Sequence, residues 1–255
     1  MGIKKALVTG ASAGIGKELA LLLAKEGFEL ILVAKNHQRL ESAANEIGAT
    51  SIQADLATKE GVASLCAYIE KEAPDVVVNN AGIGFYGPSI ERDQDIIEIN
   101  VQALVTISHA AVRACLQRKK SGIILNISSV LAFFPAPYAA VYAASKSFVN
   151  SFSYALDAEV KHQGVRVLCA CPGQVATDFR VRASLGKASR QKPGLMVLDP
   201  KKVAYQLLQQ IQTQKCLSVI DWRYKLLVVI SRFLPNRCIA WVVSRVMKQR
   251  TLDAS

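Results

Sequence analysis

The chain has 255 residues, 51% of them hydrophobic and 20% charged, with a formal net charge of +11. That length allows one large domain or two small ones and is enough to bury a sizeable core. The apolar share excludes intrinsic disorder, and 15 Gly with 8 Pro excludes collagen-like and low-complexity chains. The charge is uneven: residues 180–250 carry fifteen Lys and Arg against two acids, Asp199 and Asp221, while the remainder is slightly acidic.

The N-terminal residues read as a charged start and then an apolar strand, with no secretory cleavage pattern. No uncharged apolar run reaches the roughly 18–20 residues that span a bilayer. A cytoplasmic location is therefore expected, with or without peripheral membrane contact. Six cysteines (66, 115, 169, 171, 216 and 238) lack metal-ligand spacing and read as buried thiols of a reducing compartment. Cys169 and Cys171, two apart in a strand, share a face. His37, His109 and His162 lie apart, so no metal site is expected.

In chain order, apolar runs predict strands at 6–9, 29–33, 50–52, 76–78, 123–127 and 165–169, with a last one at 216–220. Between them, helical periodicity covers 14–26, 38–47, 59–72, 90–119 and 142–163, and Pro200 opens a further helix to 212. Strands alternating with helices predict a doubly wound, mostly parallel, Rossmann-like α/β sheet. We read residues 1–220 as one dinucleotide-binding catalytic domain and 221–255 as a basic amphipathic extension that caps it. The irregular stretch 174–199 is too long for a plain connection and reads as a substrate loop.

The first strand runs into Thr9-Gly-Ala-Ser-Ala-Gly-Ile-Gly16 and then a helix. Glycines there let the backbone turn sharply and approach a ligand, and the helix N-terminus favours a pyrophosphate. The second strand ends in Lys35, where an NAD site usually carries an acid. A cation at that point, with Ser12 nearby, favours the 2′-phosphate of NADP. Ser128 and Ser129 end the fifth strand, at the edge where such sheets bind ligands. Tyr142 and Lys146 share a helix face, which places an ammonium beside a phenol whose ordinary pKa near 10 is poorly matched to neutral-pH proton transfer.

Together these residues resemble the short-chain dehydrogenase/reductase family over residues 3–178. The resemblance implies that Gly10, Ser12, Gly14, Ile15 and Gly16 form the cofactor loop and that Asp55 and Leu56 hold the adenine. Asn79-Asn80-Ala81-Gly82 corresponds to the motif that supports the sheet beside the cofactor. Pro172, Gly173, Val175 and Thr177 would meet the nicotinamide end. Tyr142 is implied as the general acid in reduction, and Lys146 as the group that lowers its pKa and bonds the ribose. Ser129 would orient the carbonyl, and Asn100 would hold a water in a proton relay. The implied activity is an NADP(H)-dependent oxidoreductase reducing a ketone or aldehyde, with homodimers or homotetramers formed through 90–119 and 142–163. The alternative is an NADP-bound scaffold or redox-responsive regulator at a membrane surface.

Two regions stay open at this level. The 133–138 loop, Phe-Phe-Pro-Ala-Pro-Tyr, either lines an apolar substrate pocket or packs as an ordinary loop. Residues 222–250 alternate apolar clusters with cations around Pro235. They are either an interfacial segment anchored by Trp222 and Trp241, or helices that close the substrate site or pack in an oligomer. Nucleic acid is not an expected partner, since no basic groove with interleaved aromatics is present.

Overall fold

Short Val-, Ile- and Leu-rich runs become strands because they are buried on both faces. The computed structural model describes residues 4–87, 93–186, 189 and 191–252. Its strands are β1 (Lys5–Thr9), β2 (Glu29–Ala34), β3 (Thr50–Gln53), β4 (Val76–Asn79), β5 (Gly122–Ile127), β6 (Val165–Cys171) and β7 (Leu217–Val219). All pair in parallel in the order β3-β2-β1-β4-β5-β6-β7, with Val8 opposite both Leu32 and Val78. The order reverses between β1 and β4, and ligands of such sheets bind in the crevice beyond the carboxyl ends of those strands.

Alternation along the strands divides the core in two. Leu7, Ile31, Val33, Val77, Ile124 and Val167 face one layer, packed by α3 (Lys59–Glu72), α5 (Leu104–Gln117) and α6 (Ala140–Val160). Val8, Leu30, Leu32, Val78, Leu125 and Leu168 face the other, under α1 (Gly14–Lys25), α2 (His37–Ile47) and α8 (Pro200–Thr213). Side-chain caps mark several helix starts: Asn36 accepts from the Arg39 N–H, Thr58 from Gly61 and Asp199 from Lys201.

The helix expected over 90–119 is not uniform. Its predicted start lies outside the described residues, and α4 (Asp93–Ile97) passes into a π-helical stretch, Glu98–Ala103, before α5. Residues Gln94–Gln117 are long and apolar enough to cross a membrane. Leu104, Ile107, Ala110, Ala111 and Cys115 instead pack against the sheet. The 174–199 loop contains α7 (Phe179–Ala183) and is closed at its base by a parallel bridge between Val175 and Leu198. The basic tail forms α9 (Trp222–Ser231) and α10 (Asn236–Leu252), separated at Pro235.

Candidate active site

The crevice is assembled from four strand ends. After β1, Gly10 and Gly14 take left-handed φ of 64° and 60°, which folds the loop back onto the start of α1. Gly16 has no room for a side chain: a Cβ there would lie 2.4 Å from Asn80 Nδ2 and 2.7 Å from Gly10 O. Asn80, beyond β4, fixes the loop by donating Nδ2–H to Thr9 O (2.9 Å) and Gly10 O (3.2 Å). The Thr9 hydroxyl completes the tie by accepting the N–H groups of Asn80 and Ala81.

Helix α1 is preceded by Ala13, which gives it no side-chain cap, and has no acid in its first turn. Its leading residues Ala13, Gly14 and Ile15 line a cavity of ≈ 720 Å³. Free N–H groups and the positive end of the helix dipole therefore face that cavity, which fits a pyrophosphate. Asn80, Ala81, Gly82, Pro172, Gly173, Val175 and Thr177 line it too. Ser12, Gly16, Lys35, Asp55 and Leu56 stand outside its lining.

Lys35 and Asp55, expected to hold different parts of a nucleotide, hold each other: Nζ and Oδ2 are 2.6 Å apart across the ends of β2 and β3. Burial pushes the Asp55 carboxyl up, but Lys35 and the Ala57 N–H outweigh it, so the group sits below the usual carboxylate range. Leu56 packs its side chain into the α3 layer of the core.

The remaining groups converge beyond β5. Ser128 and Ser129 both line the cavity but differ in their hydrogen bonds. The Ser128 hydroxyl is buried and donates to Lys146 O at 2.9 Å. Ser129 faces the cavity and caps a short 3-10 turn, accepting from the Leu131 N–H. Tyr142 and Lys146, one turn apart on α6, are both buried, with Lys146 Nζ 5.8 Å from the phenol ring centre. That Nζ donates to Ile127 O at 2.9 Å.

Burial pushes the Tyr142 phenol above its ordinary range; Tyr86 adds to this and Ser129 opposes it. The lowering expected from Lys146 does not appear: the only downward influence on the phenol is the Ser129 hydrogen bond. Burial also brings the Lys146 ammonium down to about 8, against the upward pull of Cys169 and Cys171. Those two thiols do share a face of β6, each 3.2 Å from Asn150 Oδ1.

Asn100 lies in the π-helical stretch and is fully buried. Its Oδ1 accepts from the Ile83 N–H at 3.0 Å, and its Nδ2 donates to Ile83 O at 2.8 Å and Ser145 Oγ at 3.2 Å. Gly82 separates it from the lysine: a Cβ there would sit 3.1 Å from Asn100 Oδ1 and 3.4 Å from Lys146 Nζ.

Other residues that shape the site carry little sequence signal. Phe179 of α7 lies over Tyr142, with ring centres 5.7 Å apart. Asn126, Ser108 and Ser153 join Asn79, of the Asn79-Asn80-Ala81-Gly82 motif, in a buried polar network behind the strand ends. Tyr224 of α9 packs on Gly173, accepts from the Gln174 N–H at 3.0 Å and donates to Met196 O. The far cavity wall is aliphatic, formed by Leu227, Ile230 and Leu234 of α9 and its corner and by Ile239, Val243 and Met247 of α10. Phe134 joins it from the 133–138 loop. The tail therefore closes the end of the cavity away from the start of α1, with Arg180 and Arg182 of α7 also on its lining.

A family model for the short chain dehydrogenases matches residues 4–187. Very-long-chain 3-oxoacyl-CoA reductases of Coprinopsis cinerea and Laccaria bicolor are 39% and 38% identical over 227 and 183 residues. Those matches cover 82% and 65% of this chain but only 64% and 54% of theirs, so the chain spans between half and two thirds of these relatives. Among solved structures, a short-chain dehydrogenase from Sphingobium yanoikuyae in complex with NADPH superposes with a TM-score of 0.80 at 26% identity, covering 90% of this chain and 94% of that one.

Proposed function

The chain belongs to the short-chain dehydrogenase/reductase family, and from that premise we propose that it uses NADPH to reduce a lipophilic, fatty-acyl-type ketone or aldehyde to an alcohol. The observation that carries this is the convergence of Ser129, Tyr142 and Lys146 on one cavity that has an uncapped helix N-terminus at one end and aliphatic walls at the other. The NADPH held by the similar Sphingobium protein and the 3-oxoacyl-CoA substrates of the similar fungal proteins support the choice of cofactor and carbonyl.

NADPH would lie along Gly10, Gly14 and Ile15, with the Lys35–Asp55 corner at its adenosine end and Gly173, Val175 and Thr177 at its nicotinamide end. Bound there, it supplies the hydride. The chain's own residues supply position and the proton. Burial keeps the Tyr142 phenol protonated at neutral pH, ready to give its proton to the carbonyl oxygen as charge develops there. Lys146, still cationic at neutral pH, stabilises the phenolate left behind. Ser129 orients the carbonyl, and Asn100 fixes the backbone at Ile83 beside the lysine.

The same reading takes residues 1–220 as the catalytic unit and 221–255 as the extension that shapes the substrate end. It includes peripheral membrane contact through 222–250, and a homo-oligomer through α5 and α6, near which Ile97, Phe148 and Tyr154 stand exposed.

The test is a fluorescence titration with NADPH and NADH, followed by turnover on a carbonyl panel. NADPH should bind more tightly, and Lys35→Asp should abolish that preference. Tyr142→Phe should bind NADPH normally yet lose about 10²–10⁴ in kcat. Binding of neither nucleotide, or equal turnover by Tyr142→Phe, overturns the proposal.

A further inference from the structure

Helix α9 is apolar on three sides, and the fold covers only two of them. Tyr224 and Val228 pack into the core, while Leu227 and Ile230 line the cavity. The third side holds Trp222, Leu226 and Val229, and continues to Phe233 at the corner before α10. These are spaced as one helical face and are 69%, 52%, 51% and 82% exposed. Trp241 of α10 is 57% exposed.

This outer surface is continuous with the cavity. Leu227, Ile230, Leu234, Val242 and Val246 line the cavity and are nevertheless 42–53% exposed. The cavity wall thus opens onto the same apolar surface.

The surface is also cationic. Between Trp222 and Leu252 there are seven Lys and Arg and no acid. Asp221, just ahead, is engaged by Arg223 at 2.8 Å. Lys225, Arg232, Arg237 and Arg245 are exposed, and the Arg245 guanidinium lies 3.8 Å from the Trp241 ring centre. A second copy seated on this face about a two-fold axis would set these cations against their own images. An anionic bilayer meets both properties, since its acyl region accepts the apolar stripe and its phosphates accept the cations.

We propose that the outer face of α9 and the α9–α10 corner docks on an anionic lipid surface with the cavity mouth turned toward it, so that a lipophilic carbonyl enters from the lipid. The docking stands on the surface alone; the entry route rests on the reductase reading above.

The chain's two tryptophans, Trp222 and Trp241, both lie in this hairpin, so their emission reports docking directly. The full chain, mixed with vesicles of phosphatidylglycerol and phosphatidylcholine, should show a blue-shifted emission that high salt reverses, with far less shift on phosphatidylcholine alone. The double variant Leu226→Asp/Phe233→Asp, neither residue lining the cavity, should lose vesicle affinity about tenfold or more. It should reduce a short water-soluble ketone normally but a vesicle-borne long-chain ketone about tenfold more slowly.

No shift with anionic vesicles, or equal vesicle binding by the variant, overturns the docking. So does a dimer in sedimentation velocity that the variant dissolves while neither protein binds vesicles, which would assign the face to a second copy. Vesicle docking by a protein that reduces no carbonyl overturns the entry route and the reductase reading, and leaves the docking in place.

Discussion

Replacing Lys146 with Met should stabilise the protein while abolishing its turnover. Lys146 is 4% exposed and its ammonium, among the described residues, makes one hydrogen bond, to Ile127 O at 2.9 Å. Its fall from 10.5 to about 8 means that the fold disfavours the charged form by about 3 kcal/mol. Methionine removes that penalty in a side chain of similar length and leaves the Ile127 carbonyl one bond short, at a cost of about 1 kcal/mol. The net gain at pH 7 is about 2 kcal/mol, or about 4–8 °C in Tm. The pH dependence is diagnostic. Below about 8, folded and unfolded chains both hold the proton, and the penalty is full. Between 8 and 10.5 only the unfolded chain holds it, so the parent gains stability as pH rises, and above 10.5 the penalty is gone. Urea unfolding of both proteins at pH 7, 9 and 10.5 should therefore show the variant's advantage shrinking to nothing. A variant less stable than its parent at pH 7, or a gap that does not change with pH, would refute the reasoning.

Two glycine substitutions probe the scaffold of the cavity. In Gly16→Ala the added carbon meets Asn80 Nδ2 and Gly10 O, both backed by hydrogen bonds, so denaturant unfolding should show a loss of about 1–3 kcal/mol, and the NADPH titration should weaken with it. In Gly173→Ala the carbon would lie 2.0 Å from the Tyr224 ring, so α9 must shift. Hydrogen exchange should then show faster opening of α9 and α10 with β1, β4 and β5 still protected, and unchanged tail protection would contradict the packing of Tyr224 on Gly173.

What could be read from the sequence was what repeats or what is locally forced. Val76–Val78 and Ile123–Ile127 are apolar without a break because both faces of the sheet are covered, and the expected runs fall within β4 and β5. Gly10 and Gly14 are legible because only a residue without a side chain adopts their φ cheaply. Tyr142 and Lys146 are legible because helical spacing alone puts them together. Asn100 was placed by resemblance, but its setting was not foreseeable: the π-helical stretch at Glu98–Ala103 leaves no mark in an otherwise helical pattern, yet it turns Asn100 onto the Ile83 backbone. The Lys35–Asp55 pair was equally hidden, since their meeting depends on β2 and β3 lying side by side rather than on proximity in the chain.

The tail shows why periodicity fails at the aliphatic end of the cavity. An amphipathic helix is recognised by the contrast between one apolar and one polar face. In α9 the core side, the cavity side and the outer side are all apolar, and Arg223 and Lys225 are placed singly among them. The contrast is lost because the helix serves the core, the cavity and an outer exposed surface at once. Its position is then decided by long-range contacts, among them the Tyr224 ring against Gly173, 51 residues earlier, and Val228 in the core. Cofactor chemistry needs fixed geometry and sits at strand ends that the sheet register dictates. The aliphatic end of the cavity is built from a loop and a hairpin that attach to those ends through long-range side-chain contacts. The aliphatic end of the cavity is therefore the part whose placement short-range patterns cannot determine, and Tyr224 on Gly173 is one of the contacts through which the two halves meet.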